Sequence, residues 1–266
     1  MGAFATKHGN MYFKLYISAG VWGIIVITIL MVAAHAGLFL FDKWYKNRHP
    51  QRNNEVPGII FSVLSLIYSL LVAFVIIAVW ENYEDLNQTI EKEADHLNSV
   101  LIHSNMLPDS LRAPVAAAIK NYCNEVMDKE WDMTGEQGYR QSAIPSLRFL
   151  LFQVRTDSHI QENLLAVMDD NLSNITNLRR ERLSHTHSYV PSLVWSILVI
   201  SSIMIVLFSY FLSVESDQLK RIYLSFLWAI IGMSMFLIYM LDHPFIGSTQ
   251  VSREPYKAIV KLLNAQ

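Results

Sequence analysis

Four long stretches of this chain contain no Asp, Glu, Lys or Arg, and they limit the possible fold more than any other feature. Each stretch has at least the roughly 20 helical residues that cross a hydrocarbon core of about 30 Å. Inside lipid every backbone donor and acceptor needs a partner, which a helix provides by itself. The sequence therefore predicts an all-α integral membrane protein with four transmembrane helices, at residues 15–41, 57–80, 192–214 and 222–241.

Residues 81–190, between the second and third spans, have the character of a water-facing helical domain. They carry 17 acidic and 10 basic side chains. Their apolar residues recur at spacings of three and four, which predicts amphipathic helices that each bury one face. The first of these stripes is Leu86, Ile90, Ala94, Leu97 and Leu101. The last is Ile160, Leu164, Val167, Leu172, Ile175 and Leu178.

The junctions between spans and domain differ in their helix breakers. No Pro or Gly separates the second span from the first stripe, so one continuous helix is predicted from Pro57 to Leu107. At 1.5 Å per residue it would be roughly 75 Å long, well beyond a bilayer. The last stripe runs toward the third span and meets only Pro191, so a kinked helix is predicted there.

With four spans, both termini and the 81–190 domain lie on one side of the membrane. The two short loops, 42–56 and 215–221, lie on the other side. The loops contain six Lys and Arg residues and the tails contain five. Because orientation follows an excess of these residues on the inner side, so small a difference leaves the sidedness open.

Several short motifs occur in an order that points to a family. They are Ala78–Asp85, Glu93-Ala94, Glu130-Trp131, Arg179–Leu183, Pro191–Trp195 and Leu241–Gly247. Within the last motif the notable residues are Asp242, Pro244, Phe245 and Gly247. Over residues 57–263 this set resembles the bestrophin-like family of bacterial multi-pass membrane proteins.

The resemblance extends more remotely to bestrophins, which are pentameric anion channels. It implies a homo-oligomer, a second span that lines the pore, inorganic anions as permeant ions, and a cytosolic domain at the inner membrane. One departure concerns calcium. Bestrophins follow their Pro-Phe-Gly stretch with acidic residues that bind Ca²⁺, whereas residues 248–253 here contain none. Because Ca²⁺ needs six to eight oxygen ligands, no metal site is expected at this position.

The second span carries a stripe of mostly small or hydroxylated residues, called here the second-span stripe. It consists of Gly58, Ser62, Ser65, Ser69, Ala73, Ile76 and Trp80. Around a symmetry axis this face could line a water-filled path, with hydroxyls that solvate ions and an apolar end that gates by dewetting. Small residues and serines also allow membrane helices to pack closely. Both interpretations remain open at this stage.

Charged residues lie where the domain meets the spans, and they form the predicted boundary charge cluster. Its members are Glu81, Glu84, Asp85, Arg179, Arg180 and Arg182. One interpretation is a charged vestibule that concentrates ions. The other is a network of ion pairs between helices, or arginines that hold anionic membrane lipids.

Two histidine-containing patterns are interpreted as structural. His35 lies within the first span among Ala and Gly, which predicts a neutral imidazole bonded across a close helix contact. Glu93 and His96 form a single Glu-x-x-His, whereas carboxylate-bridged di-iron bundles need two such motifs and two further glutamates. A solvated helix face is therefore predicted for this pair.

The chain lacks the motifs of the common enzyme classes. It contains no phosphate-binding loop, no zinc-protease helix and no nucleophile elbow, so neither an enzyme nor a cofactor is expected. Basic residues are not gathered on a soluble face, so nucleic-acid binding is not expected. Two hypotheses remain. One is an oligomeric ion channel, and the other is a non-conducting membrane scaffold or sensor whose central domain binds a partner.

Overall fold

The computed structural model describes residues 19–45, 55–131, 144–152, 159–214, 216–246 and 250–265. These residues form helices joined by short turns, and no strand occurs among them. The elements are α1 (Ala19–Tyr45), α2 (Glu55–Ser104), α3 (Asp109–Glu125), a π-helical turn (Val126–Glu130), α4 (Ile144–Phe152), α5 (His159–Ser184), α6 (Ser192–Ser209), α7 (Asp217–Asp242) and α8 (Glu254–Ala265). The predicted all-α class is confirmed.

Four of the helices, α1, α2, α6 and α7, are long and apolar enough to cross a membrane, as predicted. The predicted first span began at residue 15, and residues 15–18 lie outside the described part of the chain. The prediction of one continuous helix from the second span into the domain is also confirmed, because α2 runs unbroken for 50 residues.

The prediction of a kinked helix at Pro191 is wrong. Helix α5 ends at Ser184, and α6 begins at Ser192 with Pro191 in the position before its first turn. A carboxylate replaces the helical hydrogen bonds in the intervening segment. Asp242 Oδ1 accepts the backbone N–H groups of Tyr189 and Val190 at 2.8 and 2.9 Å. Buried Asp242 also accepts a hydrogen bond from Trp195 Nε1 at 3.3 Å, so it fixes the start of α6.

The chain divides into two compact units. The spanning unit contains α1, α2 up to Glu81, α6 and α7, and small residues allow its helices to approach closely. A Cβ added to Gly232 of α7 would lie 3.2 Å from the Ile27 side chain of α1. Polar bonds add to this packing, since the Tyr210 hydroxyl donates to the Ala34 carbonyl at 2.8 Å.

His35 connects α1 with α7. Its Nδ1 lies 2.8 Å from the Met31 carbonyl of its own helix, and its Nε2 lies 3.3 Å from Ser225 Oγ. The ring nitrogen that faces the carbonyl must donate to it, and the Ser225 hydroxyl also donates to the Arg221 carbonyl of α7 at 2.9 Å. The bond across a helix contact is the structural role that the sequence predicts.

The extramembrane unit contains the rest of α2, together with α3, the π-helical turn, α4, α5 and α8. The first predicted stripe is buried throughout. The last predicted stripe differs from the buried face at one position. Val167 is 47% exposed, and Met168 is buried in the core instead. The C-terminal segment, predicted to be a tail, contributes Tyr256 and Ile259 to this core.

Candidate functional site

The described helices of the chain leave the second-span stripe only partly covered. Ser62, Ser69, Ala73 and Trp80 are exposed, and Gly58, Ser65 and Ile76 are half-buried. A Cβ added at Gly58 would meet no atom within 4 Å.

The packed face of α2 lies elsewhere on the helix. It includes buried Val72 and Val79, and Tyr68, whose hydroxyl lies 2.8 Å from Ser202 Oγ of α6. At about 100° per residue, this face is rotated by roughly 80° from the second-span stripe. A packing role for its exposed members would therefore require a partner outside the described part of the chain, such as a second copy.

The three serines of the stripe differ in their hydrogen bonds. The hydroxyls of Ser62 and Ser69 donate to the backbone carbonyls of Gly58 and Leu66, at 2.9 and 2.8 Å. Ser65 Oγ has no hydrogen-bond partner among the described residues. Ser65 Oγ is also buried, so its hydroxyl is closed to solvent and to a ligand in the single chain.

The members of the boundary charge cluster have different surroundings. Glu81, Glu84, Asp85 and Arg180 are exposed, whereas Arg179 and Arg182 are buried. The buried arginines pair with Glu93 and Glu130, two carboxylates outside the predicted cluster. The solvated helix face predicted for Glu93 is wrong, since this side chain is fully buried.

The paired residues form one continuous network in the extramembrane unit. Arg182 donates through Nε to Glu93 Oε2 at 2.9 Å and through Nη2 to Glu130 Oε2 at 2.7 Å. Arg179 donates from both Nε and Nη2 to Glu130 Oε1, at 2.9 and 2.6 Å. The charges of the two arginines and the two glutamates balance, and the short N···O distances are those of charge-assisted hydrogen bonds. The network holds α2, α5 and the π-helical turn together.

Two tyrosines complete the network. Tyr122 donates to Glu93 Oε1 at 2.6 Å, and the Arg182 guanidinium lies 5.9 Å from the centre of the Tyr256 ring. Burial, and then the nearby charge of Glu93, raise the pKa of both tyrosines well above the usual value of 10.0. Both hydroxyls therefore remain protonated in the folded protein, and Tyr122 acts as a donor to the carboxylate.

The π-helical turn explains how two consecutive residues are both buried. Trp131 N–H bonds to the Val126 carbonyl at 3.1 Å, five residues back, so the turn is wider than an α-helical turn. Glu130 thus reaches the arginines while Trp131 packs edge-on against Phe245 and Tyr256, at centroid distances of 5.5 and 6.0 Å. Pro244 beside Phe245 is buried as well, and Gly247 lies outside the described residues.

We expect the buried tyrosines to make the protein sensitive to alkali. Because their folded pKa lies above the unfolded value of 10.0, the stability they confer is complete below pH 10 and is lost as the pH rises further. The loss should reach up to about 1.4 kcal/mol per pH unit for each tyrosine. Urea unfolding between pH 9 and 11 measures it. Tyr256→Phe should lower the slope, and identical slopes in the two proteins would contradict this assignment.

These observations define the class of the molecule. It is an all-helical membrane protein of four spans whose second span extends into a helical unit built on a buried ionic network. Among the described residues no group of His, Cys, Asp or Glu could hold a metal ion. The Bestrophin-like domain model matches residues 28–256, and the chain therefore belongs to the Bestrophin-like family.

Solved structures agree with this assignment in fold. A variant of a bacterial bestrophin homologue from Klebsiella pneumoniae has 13% sequence identity and a TM-score of 0.66. The similarity covers 91% of this chain and 99% of that chain. A second structure, described as a membrane protein variant, has 12% identity and a TM-score of 0.71, and covers 91% and 97%. No curated protein matches the sequence.

Proposed function

We propose that this protein is an oligomeric ion channel of the cell membrane that conducts inorganic anions. The observation that carries the proposal is the second-span stripe, a face of mostly small or hydroxylated residues that the described helices leave only partly covered. Several copies arranged around an axis, five by analogy with bestrophins, would bring these faces together and enclose a path. The similarity of fold to a bacterial bestrophin homologue supports this arrangement.

The chemistry of the stripe suits weakly bound ions. Serine hydroxyls replace part of an ion's hydration shell without holding the ion tightly, which conduction requires. Ser62 and Ser69 are the stripe serines that the single chain exposes to such a path. Ile76 is the apolar constriction at which a pore of this kind can close by dewetting.

A second candidate is conduction of cations through the same path. Glu84, Glu91 and Asp95 recur along the extramembrane part of α2 and are exposed. Copies of these carboxylates around an axis would concentrate cations. Arg179 and Arg182 of the boundary charge cluster are already paired with carboxylates. Their positive charge therefore does not fully offset the attraction of these exposed carboxylates for cations. The sign of the permeant ion therefore has to be measured directly.

The remaining assignments follow from the same proposal. The extramembrane unit and both termini would face the cytoplasm, and the protein would partner with copies of itself and with membrane lipids. The spans expose apolar side chains such as Ile24, Phe74 and Phe226, which suit a hydrocarbon environment. No cofactor and no catalytic activity is included in the proposal.

Purification into nanodiscs and single-particle imaging form the first test, followed by ion flux in liposomes. A ring with Ser62, Ser65 and Ser69 on its axis, and chloride flux well above that of empty liposomes, is the expected result. Potassium flux without chloride flux would replace the anion assignment by the cation one. A monomer or dimer without flux would contradict the channel proposal and favour the membrane scaffold or sensor.

A further inference from the structure

The extramembrane unit contains a cavity that the proposed channel function does not use. It lies between α4 and α5 and has a volume of about 400 Å³, within the range of small-molecule sites. Its lining combines apolar side chains with one threonine and two arginines. The lining residues are Ile144, Pro145, Arg148, Phe149, Phe152, Thr176 and Arg179.

The apolar side of the cavity is open to solvent. Phe149 and Phe152 are 64% and 76% exposed, on a helix whose opposite face, with Leu147 and Leu151, is buried in the core. Two neighbouring aromatic rings exposed on a water-facing unit form a hydrophobic patch, and such patches mark binding surfaces. An occupant with an apolar body would cover both rings.

The two arginines on the cationic side of the cavity each have partners within the unit. Arg148 pairs with Asp169 at 2.8 Å through Nε and donates to Ser173 Oγ at 2.8 Å through Nη2. Its Nη1 makes no hydrogen bond within the described part of the chain, so two N–H donors remain for a ligand. Arg179 is fixed by Glu130. Neither partner carboxylate lines the cavity, and among the described residues no acidic side chain does.

We propose that this cavity binds an amphipathic anion, specifically a carboxylate on an unbranched alkyl chain such as a fatty acid. The carboxylate would accept hydrogen bonds from Arg148, and the chain would lie against Phe149 and Phe152. Planar guanidinium groups match carboxylates geometrically, which favours this headgroup. Arg179 belongs both to the cavity wall and to the buried ionic network, so a bound carboxylate would also contact the structural centre of this unit.

The test uses full-length protein in phosphatidylcholine nanodiscs, with 4-fluorophenylalanine in place of Phe152 as a ¹⁹F probe at the cavity rim. Octanoate is the ligand, and because the signal comes from the protein, ligand dissolved in lipid does not contribute. The ¹⁹F shift should saturate, with a dissociation constant on the order of 0.1–1 mM. Octanol, which has the chain but no charge, should bind roughly tenfold more weakly or not at all.

Two arginine variants complete the experiment. Arg148→Gln should weaken octanoate binding by roughly tenfold or more. It should leave folding intact, because the Arg148–Asp169 pair is partly exposed. Arg112→Gln is the matched control, an arginine of the same unit that pairs with Asp109 away from the cavity. A linear, unsaturated shift, equal binding of octanol, or wild-type affinity in Arg148→Gln would each overturn the site.

Discussion

Arg182→Met is expected to destabilise the extramembrane unit by about 3–5 kcal/mol, which is a large part of the stability of an ordinary domain. The substitution preserves the apolar length of the side chain but leaves Glu93 without a cation. Glu93 is fully buried, and Tyr122 is its other hydrogen-bond donor in the network. A buried carboxylate without a countercharge is costly because water cannot solvate it.

Urea unfolding in detergent, followed by circular dichroism, measures this loss, and the chain supplies its own control. Arg180 is exposed on the same helix, so Arg180→Met should change the unfolding free energy by less than about 0.5 kcal/mol. Adding Glu93→Leu to Arg182→Met should recover part of the loss, since Glu130 retains Arg179. Equal effects of the two arginine substitutions would contradict the role given to the network.

The spans and the long helix could be predicted because their causes are local. A run without charges and a run without helix breakers determine the structure of the residues that contain them. The break before α6 has a distant cause instead. It depends on Asp242, about 50 residues further along the chain, which accepts the N–H groups of Tyr189 and Val190. Nothing near Pro191 in the sequence indicates that partner, so a kink was the natural expectation.

The buried network could have been detected in the sequence from the helical spacing of its charged residues. In α5, Met168, Leu172 and Ile175 continue at spacings of four and three into Arg179 and Arg182. Both arginines are thus in phase with the buried face. Glu93 is likewise in phase with Ile90 and Leu97 of α2. A charged residue in the apolar phase of a helix predicts burial with a partner, because burial without one is too costly. Which carboxylate meets which arginine depends on how the helices pack.

The second-span stripe cannot be interpreted from contacts within one chain, since its proposed neighbours are other copies. A measurement with a water-soluble reagent separates the possibilities. Ser69→Cys channels should lose roughly tenfold or more of their current on reaction with an anionic methanethiosulfonate, because the attached sulfonate would obstruct the path. The native Cys123 should not react. It is buried, and burial followed by the charge of Glu93 raises its pKa to about 12.

Ile67→Cys is the control that makes the result specific to one face. Ile67 lies two residues from Ser69, at nearly the same depth, and is exposed in the single chain. At about 100° per residue it points roughly 160° away from Ser69. In a ring with the stripe on its axis, Ile67 would face lipid or a neighbouring helix. Its thiol would then lie outside the aqueous path, where no reactive thiolate forms. Equal block at both positions would exclude the stripe as the pore face. Reaction at neither would indicate that Ser69 is sealed by packing, as a scaffold requires.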